Sequence, residues 1–211
     1  MTQEIGEGNG ESFDIDSLTK AVSFLDSFGR PYCVHAGMAL HLYGFDAELD
    51  DIDVKVFCDD LNDLYNTAKS FFDCEVNMIE DVTTRYFGLF MFPQRVEIET
   101  KTPIDICSHT GITNELGSIE FPYSPEFFKN VEYISYNGIK VPVAPLESVF
   151  LYYLVLRRDS RNGKDDLGKI KAILDSGKLN ENKLFSLLEN ITVKAEIINL
   201  YNNLKNSFDR K

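Results

Sequence analysis

Hydrophobic residues recur at two spacings along the chain, and each spacing predicts a different element. Apolar residues three and four positions apart indicate amphipathic helices, whereas alternating or short continuous apolar runs indicate strands. The helical pattern predicts helices at residues 16–28, 36–43 and 60–72, and a series of helices from Pro145 to Lys205. The strand pattern predicts strands at residues 32–34, 51–57, 74–78, 84–92, 96–100, 104–108, 131–136 and 139–143.

Turn and cap residues support these boundaries. Gly29 follows the first helical pattern, where glycine commonly ends a helix. Asn137-Gly138 joins the last two strand patterns and is typical of a type I′ hairpin turn. Pro145 then stands where proline is favoured, at the first position of a helix. The chain therefore changes from mixed strands and helices to helices alone near residue 145.

This order predicts an α+β fold, with a mixed β-sheet core flanked by helices and a C-terminal helical subdomain. We expect the core at residues 1–144, with a flexible start at 1–11, and the subdomain at 145–211. A ligand is expected in the cleft between the two parts. At 211 residues the chain is long enough for one full core with a small helical extension.

Composition limits the partners. The formal net charge of −13 and a pI near 4.6 argue against extended nucleic-acid binding, which needs clustered Lys and Arg. The acidity suits a cationic substrate or partner. No stretch approaches the roughly 20 apolar residues of a membrane span, and the N-terminus lacks a signal-peptide pattern, so a cytoplasmic protein is expected. A homo-oligomer is compatible with this composition.

The four cysteines form no Cys-x-x-Cys pair and are expected to be free, mostly buried thiols. Alternation along the predicted 104–108 strand places Cys107 and His109 on the face of Asp105. A transition-metal site can be drawn from these three residues, although a structural role for the pair is the stronger interpretation.

The tripeptide Asp-Ile-Asp occurs twice, and its surroundings separate the copies. Asp14 and Asp16 run directly into the first helical pattern, where Asp16 or Ser17 is the expected N-cap. Asp51 and Asp53 open an apolar, β-branched run, so alternation points both carboxylates to one face of a strand. Such a pair repels itself unless cations lie between, and Mg²⁺ or Mn²⁺ are the ions that prefer oxygen ligands.

The second copy follows a short run of small residues, and this order resembles the DNA polymerase beta-like nucleotidyltransferase superfamily. Residues that fall in register with its first motif are Gly37, Ala39, Leu40, Gly44, Asp51 and Asp53. The similarity extends from about Tyr32 to Lys171 and is greatest to small bacterial and archaeal members, the minimal, lincosamide-modifying and abortive-infection-toxin types.

The resemblance implies a metal-dependent enzyme that transfers a nucleoside monophosphate from a nucleoside triphosphate, such as ATP, to an acceptor hydroxyl of a small molecule, a protein or an RNA end. It implies a third carboxylate at Asp105, which would complete the metal set and act as general base. The expected nucleotide contacts are Ala36 and Gly37 at a helix tip, with the cations Lys164, Arg158 and Arg85.

The chain departs from the superfamily pattern at four positions, namely Ala36, Ala47, Leu49 and Tyr153. These departures keep a second hypothesis open, a catalytically idle nucleotide- and metal-binding module or an antitoxin-like partner. A third interpretation makes Asp51 and Asp53 exposed strand residues of an unrelated α/β domain. The acceptor and the preferred base are beyond what the sequence predicts.

Overall fold

The structure is a computed structural model that describes residues 13–79, 84–86, 89–121, 123–159, 164–189 and 191–208, with side chains described over the same ranges except at 84–94. The expected flexible start therefore lies outside the described residues. The helices in these ranges are α1 (Ile15–Phe28), α2 (Ala36–Leu42), α3 (Leu61–Phe71), α4 (Pro125–Phe128), α5 (Leu146–Leu156), α6 (Asp166–Asp175), α7 (Glu181–Leu187) and α8 (Lys194–Phe208). The strands are β1 (Tyr32–Val34), β2 (Ile52–Val56), β3 (Val76–Ile79), β4 (Thr84–Tyr86), β5 (Leu89–Ile98), β6 (Ile104–Asn114), β7 (Gly117–Phe121), β8 (Glu132–Tyr136) and β9 (Ile139–Val143).

The strands form one mixed sheet, so the predicted α+β class is confirmed. Its order is β3-β5-β6-β2-β1-β9-β8, while β4 pairs with β5 and β7 pairs with β6. The central pair β2 and β6 is parallel, and β1 runs antiparallel to β2 but parallel to β9. Parallel neighbours bring corresponding strand ends to the same edge of the sheet, and this is what gathers the candidate site.

The core lies on both faces of the sheet. On one face, alternate residues of β2 and β6 are fully buried, among them Ile52, Val54, Ile104 and Ile106. α3 packs on the neighbouring β3 and β5 and against α1. On the other face lies α5, whose eleven residues are all buried. A helix that is apolar on all sides belongs in a core, so α5 is part of the sheet packing although it opens the predicted C-terminal subdomain.

Several predicted boundaries change for local reasons. The first helix begins one residue early, because Asp14 is its N-cap and accepts a hydrogen bond from the Ser17 backbone N–H at 3.0 Å. Asp16 and Ser17, the expected caps, lie inside the helix. Pro145 lies at the N-cap position of α5, one residue before the predicted first helical position, and forms no side-chain capping hydrogen bond. Asn137 and Gly138 both have positive φ, 46° and 82°, as the predicted type I′ turn requires.

The largest differences concern the middle strands. The predicted strands at 84–92 and 96–100 are replaced by the short β4 and by β5, which continues to Ile98. β6 runs to Asn114, well beyond Ser108, and then turns into β7. Neither β7 nor α4 was predicted. Sequence patterns locate such elements poorly because pairing along a long, bent sheet decides where each strand ends.

Candidate active site

Three strands place carboxylates side by side on the α5 face of the sheet. The parallel register of β2 and β6 pairs Asp53 with Asp105. The antiparallel register of β5 and β6 pairs Asp105 with Glu97. Because neighbouring strands lie about 5 Å apart and paired residues share a face, Asp53, Asp105 and Glu97 form one cross-strand series, which we call the acidic row.

Asp51 lies directly before β2 and interacts electrostatically with this row. Burial first, and then the charges of Asp53 and Asp105, raise the pKa of Asp51 to about 7. The pKa of Asp105 is raised to about 6. Burial is the main cause, the Arg95 guanidinium opposes the rise, and the Asp53 charge adds to it. The fold thus brings together the three carboxylates that the sequence predicted, in a half-buried site where they repel one another.

The chemistry of these groups fits a hard divalent cation. Carboxylate oxygens are the ligands that Mg²⁺ and Mn²⁺ prefer, and a cation relieves the repulsion that raises the pKa of Asp51. In the part of the chain that the structure describes, however, no three His, Cys, Asp or Glu side chains are already assembled as a metal-binding group.

A second cross-strand series lies two residues further along the same strands. The register pairs Lys55 with Cys107 and Cys107 with Arg95, and we call these three the inner row. Lys55 is only 2% exposed. Its ammonium donates to Thr110 Oγ1 at 3.4 Å and lies 5.4 Å from the ring centroid of Tyr123.

The charges of the inner row partly balance those of the acidic row. Burial lowers the pKa of Lys55, but neighbouring acidic groups, Cys107 first and Asp53 among them, raise it well above its ordinary value. Arg95 forms an ion pair with Glu97. The site is therefore a layer of carboxylates backed by a layer of cations, and its fourth carboxylate, Glu97, is held by Arg95.

The helix tip expected to receive phosphates is formed by α2, which is two turns long. His35 is its N-cap, and the His35 backbone N–H donates to the Asp53 carbonyl at 2.8 Å, so the tip is tied to β2. Ala36 has φ 46°, the left-handed region where glycine is favoured. A Cβ added at Gly37 would meet the Glu48 carbonyl oxygen at 3.0 Å. Close backbone packing is thus one reason for glycine at this position.

His35 itself is buried below the tip. Its Nε2 lies 3.4 Å from Ser148 Oγ of α5, and its ring packs edge-on against Tyr152, with centroids 5.2 Å apart. Burial, followed by the Lys55 charge, lowers the pKa of His35 well below its ordinary value. A neutral His35 therefore joins α2 to α5 behind the carboxylates.

Lys164 reaches the site from the segment before α6. Its ammonium forms an ion pair with Asp50, with an N–O distance of 3.0 Å. Asp51 is the next residue, and the Lys164 charge partly offsets the rise in the pKa of Asp51. A cavity of about 390 Å³ lies beside this pair, between the loop before β2 and α6. Its lining residues are Asp46, Ala47, Glu48, Lys164, Asp165, Gly168, Lys169 and Ala172. A cleft thus lies between the two predicted parts of the chain.

Arg158 is close to the site but is held by another residue. Its Nε and its backbone N–H both donate to Asp166 Oδ2, at 3.0 and 2.7 Å, and Asp166 is completely buried. This charge-assisted pair joins the end of α5 to the start of α6. The Arg158 charge is therefore engaged with a protein carboxylate.

Arg85 is not brought to the acidic row. It lies in β4 opposite Phe90 of β5, whereas Glu97 is seven residues further along β5. At about 3.3 Å per residue this corresponds to roughly 23 Å along the strand, beyond the reach of an arginine. The Arg85 side chain and the whole of Arg161, a further basic candidate, lie outside the described residues.

The alternative transition-metal set is contradicted by a bulge. Cys107 pairs with Arg95 and His109 pairs with Gln94, so one residue of β6 is extra at this point. The extra residue changes the alternation of β6, so that Thr110, and not His109, faces Lys55 on the side of Cys107. Cys107 and His109 therefore do not share a face, which simple alternation had predicted.

Sequence reasoning missed four charged residues of this region: Lys55, Arg95, Glu97 and Asp166. A signal existed for Lys55, because it follows Asp53 by two residues and must share its face of the strand. Glu97 and Arg95 carried no comparable signal, since only the pairing of β5 with β6 places them beside Asp105.

With this geometry, the chain has the fold of the nucleotidyltransferases, as the resemblance predicted. The antibiotic-resistance factor ANT(2'')-Ia in complex with adenylyl-2''-tobramycin matches with a TM-score of 0.54 at 14% identity, covering 89% of this chain and 98% of that one. A Thermotoga maritima protein assigned as a nucleotidyltransferase matches with a TM-score of 0.52 at 19% identity, covering 70% and 87%.

An antigenic nucleotidyltransferase-like protein from Paracoccidioides brasiliensis matches with a TM-score of 0.50 at 15% identity, covering 93% of both chains. No protein-family profile and no curated protein sequence matches the chain. Within the described ranges, no helix is both long and apolar enough to cross a membrane.

Proposed function

We propose that this protein is a metal-dependent nucleotidyltransferase that transfers a nucleoside monophosphate from a nucleoside triphosphate to an acceptor hydroxyl. The observation that carries the proposal is the pairing of Asp53 with Asp105 on parallel neighbouring strands, with Asp51 at the head of one of them. The fold that carries this arrangement is shared with solved nucleotidyltransferases. A cytoplasmic location is part of this proposal.

Asp51, Asp53 and Asp105 would hold one or two Mg²⁺ or Mn²⁺ ions. When bound, such ions supply charge stabilisation for the attacking, bridging and leaving oxygens of the phosphoryl group. Asp105 would take the acceptor proton, and its pKa of about 6 is close to that of an effective base near neutral pH. Arg95 lowers this pKa and so favours the ionised form of Asp105.

The nucleotide would enter from the cavity beside Lys164. Of the predicted phosphate contacts, we retain Lys164. Its side chain is one-third exposed, and its ammonium would bind a phosphate once its ion pair with Asp50 breaks. Ala36 and Gly37 remain candidates through their backbone N–H groups at the α2 tip. Arg158 is the weaker candidate because Asp166 holds it, and Arg85 is omitted because of its distance along β5.

The acceptor would approach over the acidic lining of the same cavity. The acidic residues Asp46, Glu48 and Asp165 outnumber Lys164 and Lys169 in this lining, and this excess of negative charge favours an acceptor carrying amino groups. ANT(2'')-Ia was solved with an adenylylated small molecule, adenylyl-2''-tobramycin. We therefore rank a cationic small molecule before a protein or an RNA end.

The idle-module hypothesis keeps one specific observation in its favour. The cations near the carboxylates are engaged with protein groups, since Lys164 pairs with Asp50 and Arg158 with Asp166. A binding module that senses metal and nucleotide without turnover would have these features. Transfer activity separates this hypothesis from the enzyme.

The test is incubation with each α-labelled nucleoside triphosphate and Mg²⁺ or Mn²⁺, followed by mass analysis of protein, RNA and small-molecule fractions. We expect label in one fraction, and we expect Asp53→Asn to abolish it. Asp16→Asn, in the other Asp-Ile-Asp tripeptide, is the matched control and should transfer normally. Tight nucleotide binding without transfer to any fraction would establish the idle module instead.

A further inference from the structure

Among the described residues, Lys55 is the most deeply buried cation of the acidic face, and no counter-ion is in direct contact with it. Lys55 is 2% exposed, and none of the ion pairs in these ranges includes it. Removing an ammonium from water is costly unless other charges or dipoles replace the lost hydration. The position of Lys55 therefore needs a specific physical reason.

The direct neighbours of Lys55 do not provide enough compensation. Thr110 Oγ1 accepts from its ammonium at 3.4 Å, a long hydrogen bond, and the ring centroids of Tyr123 and Tyr152 lie at 5.4 and 5.7 Å. These groups are uncharged. Hydrogen bonds and aromatic faces stabilise a cation, but less than an opposite charge does in a low-dielectric interior.

The acidic row supplies the opposite charge. Asp53 precedes Lys55 by two residues on the same face of β2, a separation of about 6–7 Å along the strand. Asp105 pairs with Asp53, and Cys107 pairs with Lys55. The ammonium therefore lies on the same face of the sheet as two half-buried carboxylates, which interact with its charge without forming a contact ion pair.

We propose that Lys55 is an internal counter-charge for the acidic row, a positioning residue that compensates the charge of Asp53 and Asp105 and holds them in place when no metal is bound. Lys55 is too deep to touch the nucleotide and acts only through these carboxylates. The proposal extends the proposed function, because a divalent cation bound at the acidic row would take over the charge compensation that Lys55 gives in its absence.

A double-mutant cycle in EDTA at pH 8.5 tests the proposal by chemical unfolding, without nucleotide or metal. We expect Lys55→Met to destabilise the otherwise unchanged protein, because the carboxylates lose their counter-charge. In the Asp53→Asn/Asp105→Asn background the same change should be stabilising, because there Lys55 is the unbalanced buried charge. A purely structural lysine would give the same effect in both backgrounds and contradict the proposal.

Folding failure is also informative in this design. If Lys55→Met folds only in the Asp53→Asn/Asp105→Asn background, the coupling is supported. If it fails in both, Lys55 is needed for packing alone and the proposal is wrong. Lys140→Met is the matched control, since Lys140 also lies over a tyrosine ring, 4.5 Å from the Tyr133 centroid, but at the surface. Its effect should not depend on Asp53 or Asp105.

A metal titration gives an independent measurement. Lys55 and a bound cation compete for the same negative charge, so Lys55→Met should bind Mn²⁺ at least about fivefold more tightly at pH 8.5, a typical size for coupling between two sites. An unchanged or weaker affinity would contradict the proposal. Neither measurement requires transfer activity, so failure of this proposal can be distinguished from failure of the proposed function.

Discussion

At the scale of single residues, the environment gives the two Asp-Ile-Asp tripeptides opposite electrostatic properties. The Ser17 hydroxyl, chiefly, lowers the pKa of Asp14, because it donates to the carboxylate at the α1 N-terminus. Burial and repulsion raise the pKa of Asp51 to about 7. The same tripeptide thus supplies a helix cap in one place and mutually repelling carboxylates in the other.

The raised pKa of Asp51 predicts how stability depends on pH in the metal-free protein. Between pH 4 and 7 the folded state keeps a proton that the unfolded state releases, so the free energy of unfolding falls as the pH rises through this range. The loss is at most about 4 kcal/mol for a shift of this size. Asp51→Asn should remove most of this loss and raise the melting temperature at pH 8 in EDTA.

Asp14→Ala is the control of opposite sign. A lowered pKa means that the Asp14 carboxylate stabilises the fold above its ordinary pKa, and that this stability is lost as the pH falls. Asp14→Ala should therefore lower the melting temperature at pH 8. If Asp51→Asn also lowered the melting temperature at pH 8 in EDTA, the claim that the neighbouring carboxylates destabilise the metal-free fold would be disproved.

At the scale of elements, packing and pairing give the site its shape. The junction of α5 and α6 is held by Arg158 and the fully buried Asp166. The α2 tip is tied to β2 through His35 and to α5 through Ser148. These links hold the cavity lining, the carboxylates and the helix tip in fixed relative positions.

The Arg158–Asp166 pair predicts a large effect on stability. Arg158→Met leaves a buried carboxylate without its partner and should lower the free energy of unfolding by about 3–5 kcal/mol. Lys171→Met is the control, because Lys171 pairs with Asp175 at the surface of α6 and such pairs contribute about 1 kcal/mol or less. A small effect of Arg158→Met, together with weaker nucleotide binding, would instead make Arg158 a phosphate contact.

At the scale of the whole molecule, charge and ligand binding are linked. The net charge of −13 includes a half-buried carboxylate cluster. Internal cations balance the charge of this cluster only in part. A divalent cation with a triphosphate would bind only the folded chain, because residues from β2, β6 and the segment before α6 meet only there. Ligand and fold should therefore stabilise each other.

We expect millimolar Mg²⁺ or Mn²⁺ with the correct nucleoside triphosphate to raise the free energy of unfolding. At a hundredfold excess over Kd the gain is about 2.7 kcal/mol. Thermal melting measures this gain, and Asp53→Asn should abolish it. If no nucleotide shifted the melting temperature with either metal, nucleotide binding would be excluded.

The sequence by itself determined the local elements and the first half of the site. Apolar spacing and caps located α1, α3, the β8–β9 hairpin and α5 to within a few residues, because short-range sterics and side-chain periodicity set these elements. Alternation in β2 placed Asp51 and Asp53, and the superfamily resemblance added Asp105. The nucleotidyltransferase fold was predicted from these local features together with the superfamily resemblance.

Only the tertiary structure decided which distant residues meet. Pairing of β5 with β6 places Glu97 and Arg95 beside Asp105, and a bulge separates His109 from Cys107. Folding of α5 onto the sheet buries Lys55, and the start of α6 holds Arg158. The physical reason is that register between strands, and burial by helices, depend on contacts between segments far apart in sequence, which local patterns do not encode.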